Sequence, residues 1–440
     1  MSAAGRGGGS STTLMGASTA SRWMRMGMAC SRRRRLSKYS CGALVGSQLM
    51  IMLLAPVAQA QEEEEDPVAS APVHLGPVGL APTIGISNLG VDTNVFHRPS
   101  ESDSDFTATL TPATEAWLHT GDGLLSVNGN VELVYFAQFK GERSVNGFGE
   151  TRYEYRFNKL RPFASFSALS TRARPGYEID ARARRSGNEV TAGVELQALS
   201  RTSVELSARR RTVDFAGDAV FLDTRLEEVL NRSLDGVDLA IRHRLTPLTT
   251  LLVSTSGERE RFDLNTIRNT DSFRFTTGFE LSQFALIRGR ALVGYRRLTS
   301  AAGGELPGFS GMTADIDVAY TAPTNTRVTL GVTSDVEYSF EIEYPYYVQT
   351  GWTTSVTQRV TGPWDVVLFG GRDRLGYRGE TELLPGQRVD LVDHVGGGVG
   401  YQLGQDTRLG FNVLSYHRRS DLPSRGYSVI RSGLSVTYGF

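Results

Sequence analysis

The sequence predicts an all-β protein: a single transmembrane, antiparallel up-and-down β-barrel of about 18 strands over residues 79–440. Three observations predict it. Period-two segments of ten to fifteen residues follow one another from Gly79 to the last residue, with no long amphipathic helix between them. Connections of two to five residues interleave with loops of mostly seven to nineteen. Barrels with tight turns on one side of a membrane and longer loops on the other show this asymmetry. The composition is only 40% hydrophobic yet holds 48 Gly, 16 Tyr and 20 Phe, as strands with one apolar and one polar face require. No stretch after residue 60 approaches the apolar length of a membrane-spanning helix.

The first 60 residues read as a signal peptide with an over-extended N-terminus. Arg32 to Arg35 and Lys38 form the basic region, Ala43 to Leu54 the apolar core, and Ala58-Gln59-Ala60 a small-x-small cleavage site. Met24, Met26 and Met28 are alternative starts. Arg33 to Lys38 loosely resembles a twin-arginine signal, but a barrel must cross the inner membrane unfolded. Both cysteines, Cys30 and Cys41, lie in this leader, so the mature chain offers no thiol for a disulfide, a metal or nucleophilic attack. Cleavage removes eight Lys/Arg and no acid, leaving 39 basic against 47 acidic residues. That net charge of −8 gives no support for nucleic-acid binding. Residues 61–78, with the acidic run Glu62 to Asp66, read as a disordered lead-in.

The first strand is expected over Leu80–Phe96. Its apolar residues are even at Ile84 and Ile86, then odd at Leu89, Val91 and Val95, so a β-bulge is expected near Asn88. Asp105–Leu118 follows and turns at 119–123 into Leu124–Phe136. There Leu125, Val127, Val131, Leu133 and Tyr135 face one way, and Ser126, Asn128, Asn130 and Glu132 the other. The same unit recurs at Gly147–Phe157, Leu160–Thr171, Asn188–Ala198, Thr202–Val213, Leu234–Leu245 and Leu248–Glu258. It continues at Asp271–Gln283, Leu286–Leu298, Gly311–Tyr320, Arg327–Phe340, Tyr346–Val360, Trp364–Tyr377, Val389–Leu403 and Thr407–His417. The loop over 172–187 is rich in arginine. The loop over 214–232 has room for a short hairpin or helix, which leaves 16 or 20 strands as alternatives. The last strand, Tyr427–Phe440, puts Ile430, Leu434, Val436, Tyr438 and Phe440 on one face and should close the sheet against the first.

The terminal Phe440 with Tyr438 two residues earlier resembles the C-terminal signature of bacterial outer-membrane barrels. Asp92-Thr-Asn-Val-Phe96, followed by a Ser/Asp-rich loop and Leu110-Thr-Pro112, resembles the opening of the putative β-barrel porin type 2 family. Such barrels are often encoded beside exopolysaccharide export genes. The resemblance implies the outer membrane of a Gram-negative bacterium with both termini periplasmic, and contact with membrane lipid and lipopolysaccharide. It also implies assembly by the barrel-assembly machinery, with Tyr438 and Phe440 as its signal, and an association with polysaccharide-export components. No cofactor is expected, and without metal-spaced carboxylates in the sequence no metal site is assigned.

Inward-facing charge is the informative chemistry. Arg209, Arg211, Arg242, Arg244, Arg274, Arg288, Arg290 and Arg296 all stand opposite in parity to their apolar neighbours, as a basic wall. Asp315, Asp317, Asp335 and Glu337 form an acidic strip beside it. Two readings stay open. Either these charges pair as a structural network that closes the lumen, or they polarise a pore for anionic or polyhydroxy solutes. Asp92, Asn94 and Phe96 should lie at the outer mouth, Asp92 and Asn94 either capping the loop or touching a ligand. Trp352, Phe369 and Tyr416 are candidates to stack on sugar rings. His394 is inward by parity, but no H-E-x-x-H, no G-x-S-x-G and no fixed-spacing acid accompanies it, so no catalytic residue is assigned. The expected function is a porin-like barrel passing small solutes or assisting export of a polysaccharide. The alternative is a closed structural or adhesion barrel; an outer-membrane hydrolase is the third reading.

Overall fold

The computed structural model describes residues 66–440, apart from 283–284, 302–305, 324, 380–387 and 440. The leader, both cysteines, Glu62 to Glu65 and the terminal Phe440 lie outside the described residues. The main sheet has 19 strands, of which one is the three-residue Val73–Leu75 and the other eighteen form a ring. The ring is β1 (Val78–Asp92), β2 (Asp105–Thr120), β3 (Gly123–Phe136), β4 (Ser144–Tyr155), β5 (Leu160–Ala173), β6 (Ala183–Leu199), β7 (Thr202–Phe215), β8 (Arg232–Thr246) and β9 (Thr249–Phe262), followed by β10 (Thr270–Leu281), β11 (Ile287–Ser300), β12 (Phe309–Thr321), β13 (Thr326–Tyr338), β14 (Tyr346–Arg359), β15 (Trp364–Arg378), β16 (Val389–Leu403), β17 (Thr407–Ser420) and β18 (Tyr427–Gly439).

Each strand pairs antiparallel with the next, and β18 pairs with β1, so no edge is left unpaired. Closure is what a bilayer demands, because an open edge would leave amide groups without partners in hydrocarbon. The expected bulge is present. Register shifts on both sides of β1 near Asn88, which adopts φ +52°. Just past it the seam is tight. A Cβ at Gly90 would lie 2.0 Å from the Ser432 carbonyl oxygen and 2.5 Å from the Gly433 Cα, so only glycine lets β1 and β18 meet there. Asp92 then stands opposite Arg431.

The outward face carries the apolar belt. Val127, Val131, Leu133 and Tyr135 of β3, Leu239 and Ile241 of β8, Phe273, Phe275 and Phe279 of β10, and Ile430, Leu434 and Tyr438 of β18 are all exposed. In water so much apolar surface would be an aggregation hazard; against acyl chains it is the lipid-facing surface. Toward the long-loop end the outward positions turn ionic. Arg210, Asp235, Arg259 and Asp271 stand side by side on β7 to β10, directly opposite one another in register. Arg372 and Arg419 share Asp393 at 2.5 and 2.7 Å on the other side of the ring.

Three details differ from the sequence expectation. The first strand ends at Asp92, because Asp92 and Asn94 fold the following residues into a capped loop. Several strands run further at the long-loop end, to Ala183, Phe262 and Ser420. Pairing continues there beyond the apolar belt, where alternation no longer marks it. The expected disordered lead-in over 61–78 is folded from Asp66 on: Val73–Leu75 pairs with the start of β1, and Asp66 bonds His119 at 2.8 Å. The loop over 214–232 holds a two-stranded hairpin (Val220–Phe221 with Thr224–Arg225) and α1 (Leu226–Leu230), and the strand count stays at eighteen.

Candidate functional site

On the face opposite the apolar belt, the arginine wall meets carboxylates. Arg209 on β7 reaches across β8 to Glu258 on β9 and lies 3.6 Å from Asp238. A Cβ at Gly236 would come within 3.1 Å of the Arg209 Nε, so the missing side chain opens that path. Arg211 pairs with Glu189 at 2.6 Å, and Arg242 with Glu205 at 2.8 Å and Glu280 at 3.5 Å. Arg274 and Arg296 converge on Asp335 at 2.7 and 2.9 Å, and Arg290 holds Asp315 at 2.6 Å. Asp317 stands opposite Arg290 in register. Glu337 lies two residues beyond Asp335, at the end of β13. Arg244 and Arg288, toward the short-turn end, have no carboxylate within 4 Å among the described residues. Six of the eight wall arginines are therefore paired, in four separate groups that take in Asp315 and Asp335 of the strip, and Arg244 and Arg288 stand outside them.

Asp92 accepts from the Arg431 Nε at 2.7 Å and from the Asn94 N–H at 3.0 Å. The Asn94 amide donates to the Arg98 and Ser428 carbonyls and accepts from the Arg98 N–H. These two residues cap their loop and tie the first strand to the last. Phe96 packs edge-on against Phe139 at 4.8 Å. Tyr438 is on the outward face, 41% exposed. Trp352 is also outward, whereas Tyr416 is buried inside. His394 is buried beside Tyr416, with ring centroids 5.9 Å apart.

A further buried polar cluster is one that strand parity does not reach. It is built by the loop over 174–182, which leaves β5 and crosses to the opposite side of the ring. The Arg418 guanidinium on β17 has no exposed surface. It donates to the Tyr177 carbonyl at 2.8 Å and pairs with Asp180 at 2.9 Å and Asp390 at 2.5 Å. Arg425 adds a second contact to Asp180 at 3.4 Å. The Glu178 carboxylate accepts from the Ser339 hydroxyl and from the Phe340 N–H, beyond the end of β13. Tyr177 packs on a tyrosine-rich cluster from β14 to β18 that includes Tyr347, Tyr377, Tyr416 and Tyr427. The loop over 216–231 folds over the first. Leu226, Val229 and Leu230 of α1 pack with Ile179 and Phe340, and Phe221 meets Phe340 at 4.9 Å. Apolar packing and ion pairs together hold two loops across the long-loop end.

Burial sets the charge states there. It pushes the Glu178 carboxyl up to about 7, helped by repulsion from Glu341 and opposed by its hydrogen bonds and by Arg425. Burial also works against an ionised Asp180, but His97, Arg418 and Arg425 together hold its carboxyl below the usual range. His97, stacked on Tyr427 at 4.2 Å, is pushed down to about 3 by burial and then by the charge of Arg174, so it is neutral. Sequence reasoning missed Glu178, Asp180, Arg418 and Arg425. The available signal was the loop itself: Tyr177-Glu178-Ile179-Asp180 alternates apolar and acidic residues in a stretch read only as an arginine-rich loop.

A family model described as Putative beta-barrel porin 2 matches residues 164–440. No curated protein matches the chain. Among solved structures, OccAB3 of Acinetobacter baumannii is similar over 82% of this chain and 99% of its own, at 11% identity and a TM-score of 0.45. A BenF-like porin from Pseudomonas fluorescens Pf-5 is similar over 83% and 99%, at 9% identity and a TM-score of 0.47. The outer membrane protein OpdK of Pseudomonas aeruginosa is similar over 82% and 98%, at 9% identity and a TM-score of 0.46.

Proposed function

The chain belongs to the Putative beta-barrel porin 2 family and is a porin-like barrel of the outer membrane, and from that premise we propose that it passes small hydrophilic solutes through a charged lumen, with selectivity set at the long-loop end. One observation carries this reading: the loop over 174–182 bridges the ring through Arg418 and Glu178, with charged and aromatic side chains around it. The bridge narrows the mouth, and the less buried charges of the inner wall face a water-filled passage, where they are only partly desolvated and sort solutes by sign. A bridged mouth suits small solutes better than a polymer in transit. Transport rather than catalysis fits the buried ionisable groups, which are mostly arginine–carboxylate pairs.

The orientation belongs to the same proposal. The short turns and both ends of the chain face the periplasm, and the long loops face outward. The ionic outward band at the long-loop end then lies at the level of the lipopolysaccharide head groups, and the exposed Tyr438 lies at the periplasmic edge, where the assembly machinery would read it.

A second reading, a closed structural barrel, draws on the packing of the two loops over each other. Planar-bilayer recording of protein purified from membranes separates the two. The passage reading expects small resolvable conductance steps that grow when the bridge is broken by Arg418→Met. Silence from both proteins overturns it in favour of the structural barrel.

A further inference from the structure

The bridged end encloses a cavity of about 170 Å³. Arg174, Arg182 and Asp180 of the bridging loop, Glu142, Phe96 and Phe221 are among its walls. The charges around it do not balance. Arg174 spends its bonds on main-chain carbonyls, the Nε on that of Asp180 at 2.6 Å and an Nη on that of Val95 at 2.5 Å. No carboxylate lies within 4 Å of it among the described residues. The carbonyls fix the guanidinium in place without neutralising it. Arg182 is held by the Ser144 hydroxyl at 2.7 Å and the Arg172 carbonyl at 2.9 Å. Its carboxylate, Glu142, is 3.8 Å away and also serves Arg172 at 3.4 Å. The Asp180 carboxylate is occupied by Arg418 and Arg425.

Of these two partly buried guanidinium groups, Arg174 has no acid and Arg182 shares Glu142 with Arg172. Burial, followed by the charge of Arg174, pushes Arg182 down to about 10, and burial with the charge of Arg431 lowers Arg174. Both shifts have the direction expected where a counter-anion is missing. A guanidinium favours a planar carboxylate, which it meets through two parallel bonds. The cavity is smaller than the roughly 300–1,000 Å³ of drug-sized ligand sites, so its occupant is small. Phe96 and Phe221 offer flat apolar surfaces suited to a ring.

We propose that this cavity binds a small ring-bearing monocarboxylate, its carboxylate on Arg174 and Arg182 and its ring against Phe96 and Phe221. The site would deepen the solute-passage reading, on which it rests, by selecting what enters.

The test is calorimetric titration of the detergent-solubilised protein with glucuronate, benzoate, glucose and inorganic phosphate, with conductance recorded on the same preparation. At least one of the two ring acids should bind tenfold or more tightly than glucose and phosphate, and which of them does so separates a sugar acid from an aromatic one. Arg174→Gln with Arg182→Gln should weaken that binding at least tenfold, whereas Arg210→Gln, on the outward face, should leave it unchanged. Phe96→Ala keeps both charges and should still weaken the ring acid several-fold, which guards against loss of the loop fold in the double variant. Ring acids that bind no better than glucose or phosphate, or that bind the double variant as well as the wild type, overturn the site. Conductance without ring-acid binding would remove this site while leaving the passage reading standing. Binding without conductance would do the reverse.

Discussion

Replacing Arg418 by methionine should release the bridging loop. Methionine keeps much of the side-chain bulk against the tyrosine cluster, so the wall packing survives. What is lost is a guanidinium with no exposed surface that holds Asp180 at 2.9 Å, Asp390 at 2.5 Å and the Tyr177 carbonyl at 2.8 Å. Breaking a buried pair by removing one partner costs about 3–5 kcal/mol, because the other charge stays buried and uncompensated. Here Asp390 keeps Arg388 at 2.9 Å and Asp180 keeps Arg425 at 3.4 Å. The cost should therefore fall at the low end, about 3 kcal/mol. At roughly 1.36 kcal/mol per tenfold, that shifts the docked-to-undocked ratio of the loop on the order of 10²-fold. The barrel should be unaffected, because the β17 ladder is intact. Two readouts follow: larger conductance steps in planar bilayers, and new trypsin cleavage at Arg174 and Arg182, which lie in the docked loop. A variant that runs as a folded barrel on unheated gels yet matches the wild type in both would refute the argument that Arg418 holds the loop.

Glu178 makes that docking pH-dependent. Its carboxyl is raised to about 7 in the docked loop from the ordinary 4.5, so docking favours the protonated form. Docking is strongest below about pH 4.5 and weakens as pH rises through about 7. Conductance should climb between about pH 5 and about pH 8, and Glu178→Gln should flatten the profile; an unchanged slope rules Glu178 out as the titrating group. Replacing Arg244 and Arg288 by glutamine should shift ion selectivity toward cations, because neither has a carboxylate partner to cancel it, and reversal-potential measurements check the shift. Neutralising the paired Arg242 and Arg290 should instead cost heat stability, by exposing Glu205 and Asp315. Gly90→Val should prevent the seam from closing, since its Cβ would overlap the Ser432 carbonyl; loss of the compact, unheated gel form is the expected result.

The ring of strands is legible in the sequence because lipid imposes one rule at every position. Within the apolar belt of β3, β8 and β10 the outward side chains are mostly apolar and the inward ones are free to be polar, so parity alone separates Leu239 and Ile241 from Arg242. The bulge at Asn88 is legible for the same reason: a phase change must have an inserted residue behind it. The rule lapses where lipid ends. Ala183–Gly187 and Arg259–Phe262 belong to strands but carry no alternation to announce them, because their outward side chains meet water or head groups.

Parity also gives the direction of a side chain and not its reach. Arg274 on β10 points inward as read, but that it meets Asp335 three strands away depends on which intervening residues are small and on the curvature of the ring. The bridge is further still from local signals. Asp180 and Arg418 are 238 residues apart, and they meet only because closure of the ring through β18 and β1 brings β17 round to face the loop that follows β5. A loop of nine residues with an alternating Tyr-Glu-Ile-Asp core can span that gap if both of its faces are buried, and in water it would have no reason to carry Tyr177 and Ile179 at all. An apolar residue in a long barrel loop is therefore a better sign of a structured mouth than any charge count along the strands. By that test 174–182 and 216–231 stand out, and between them they supply Arg174, Arg182 and Phe221 to a cavity whose charge is unbalanced.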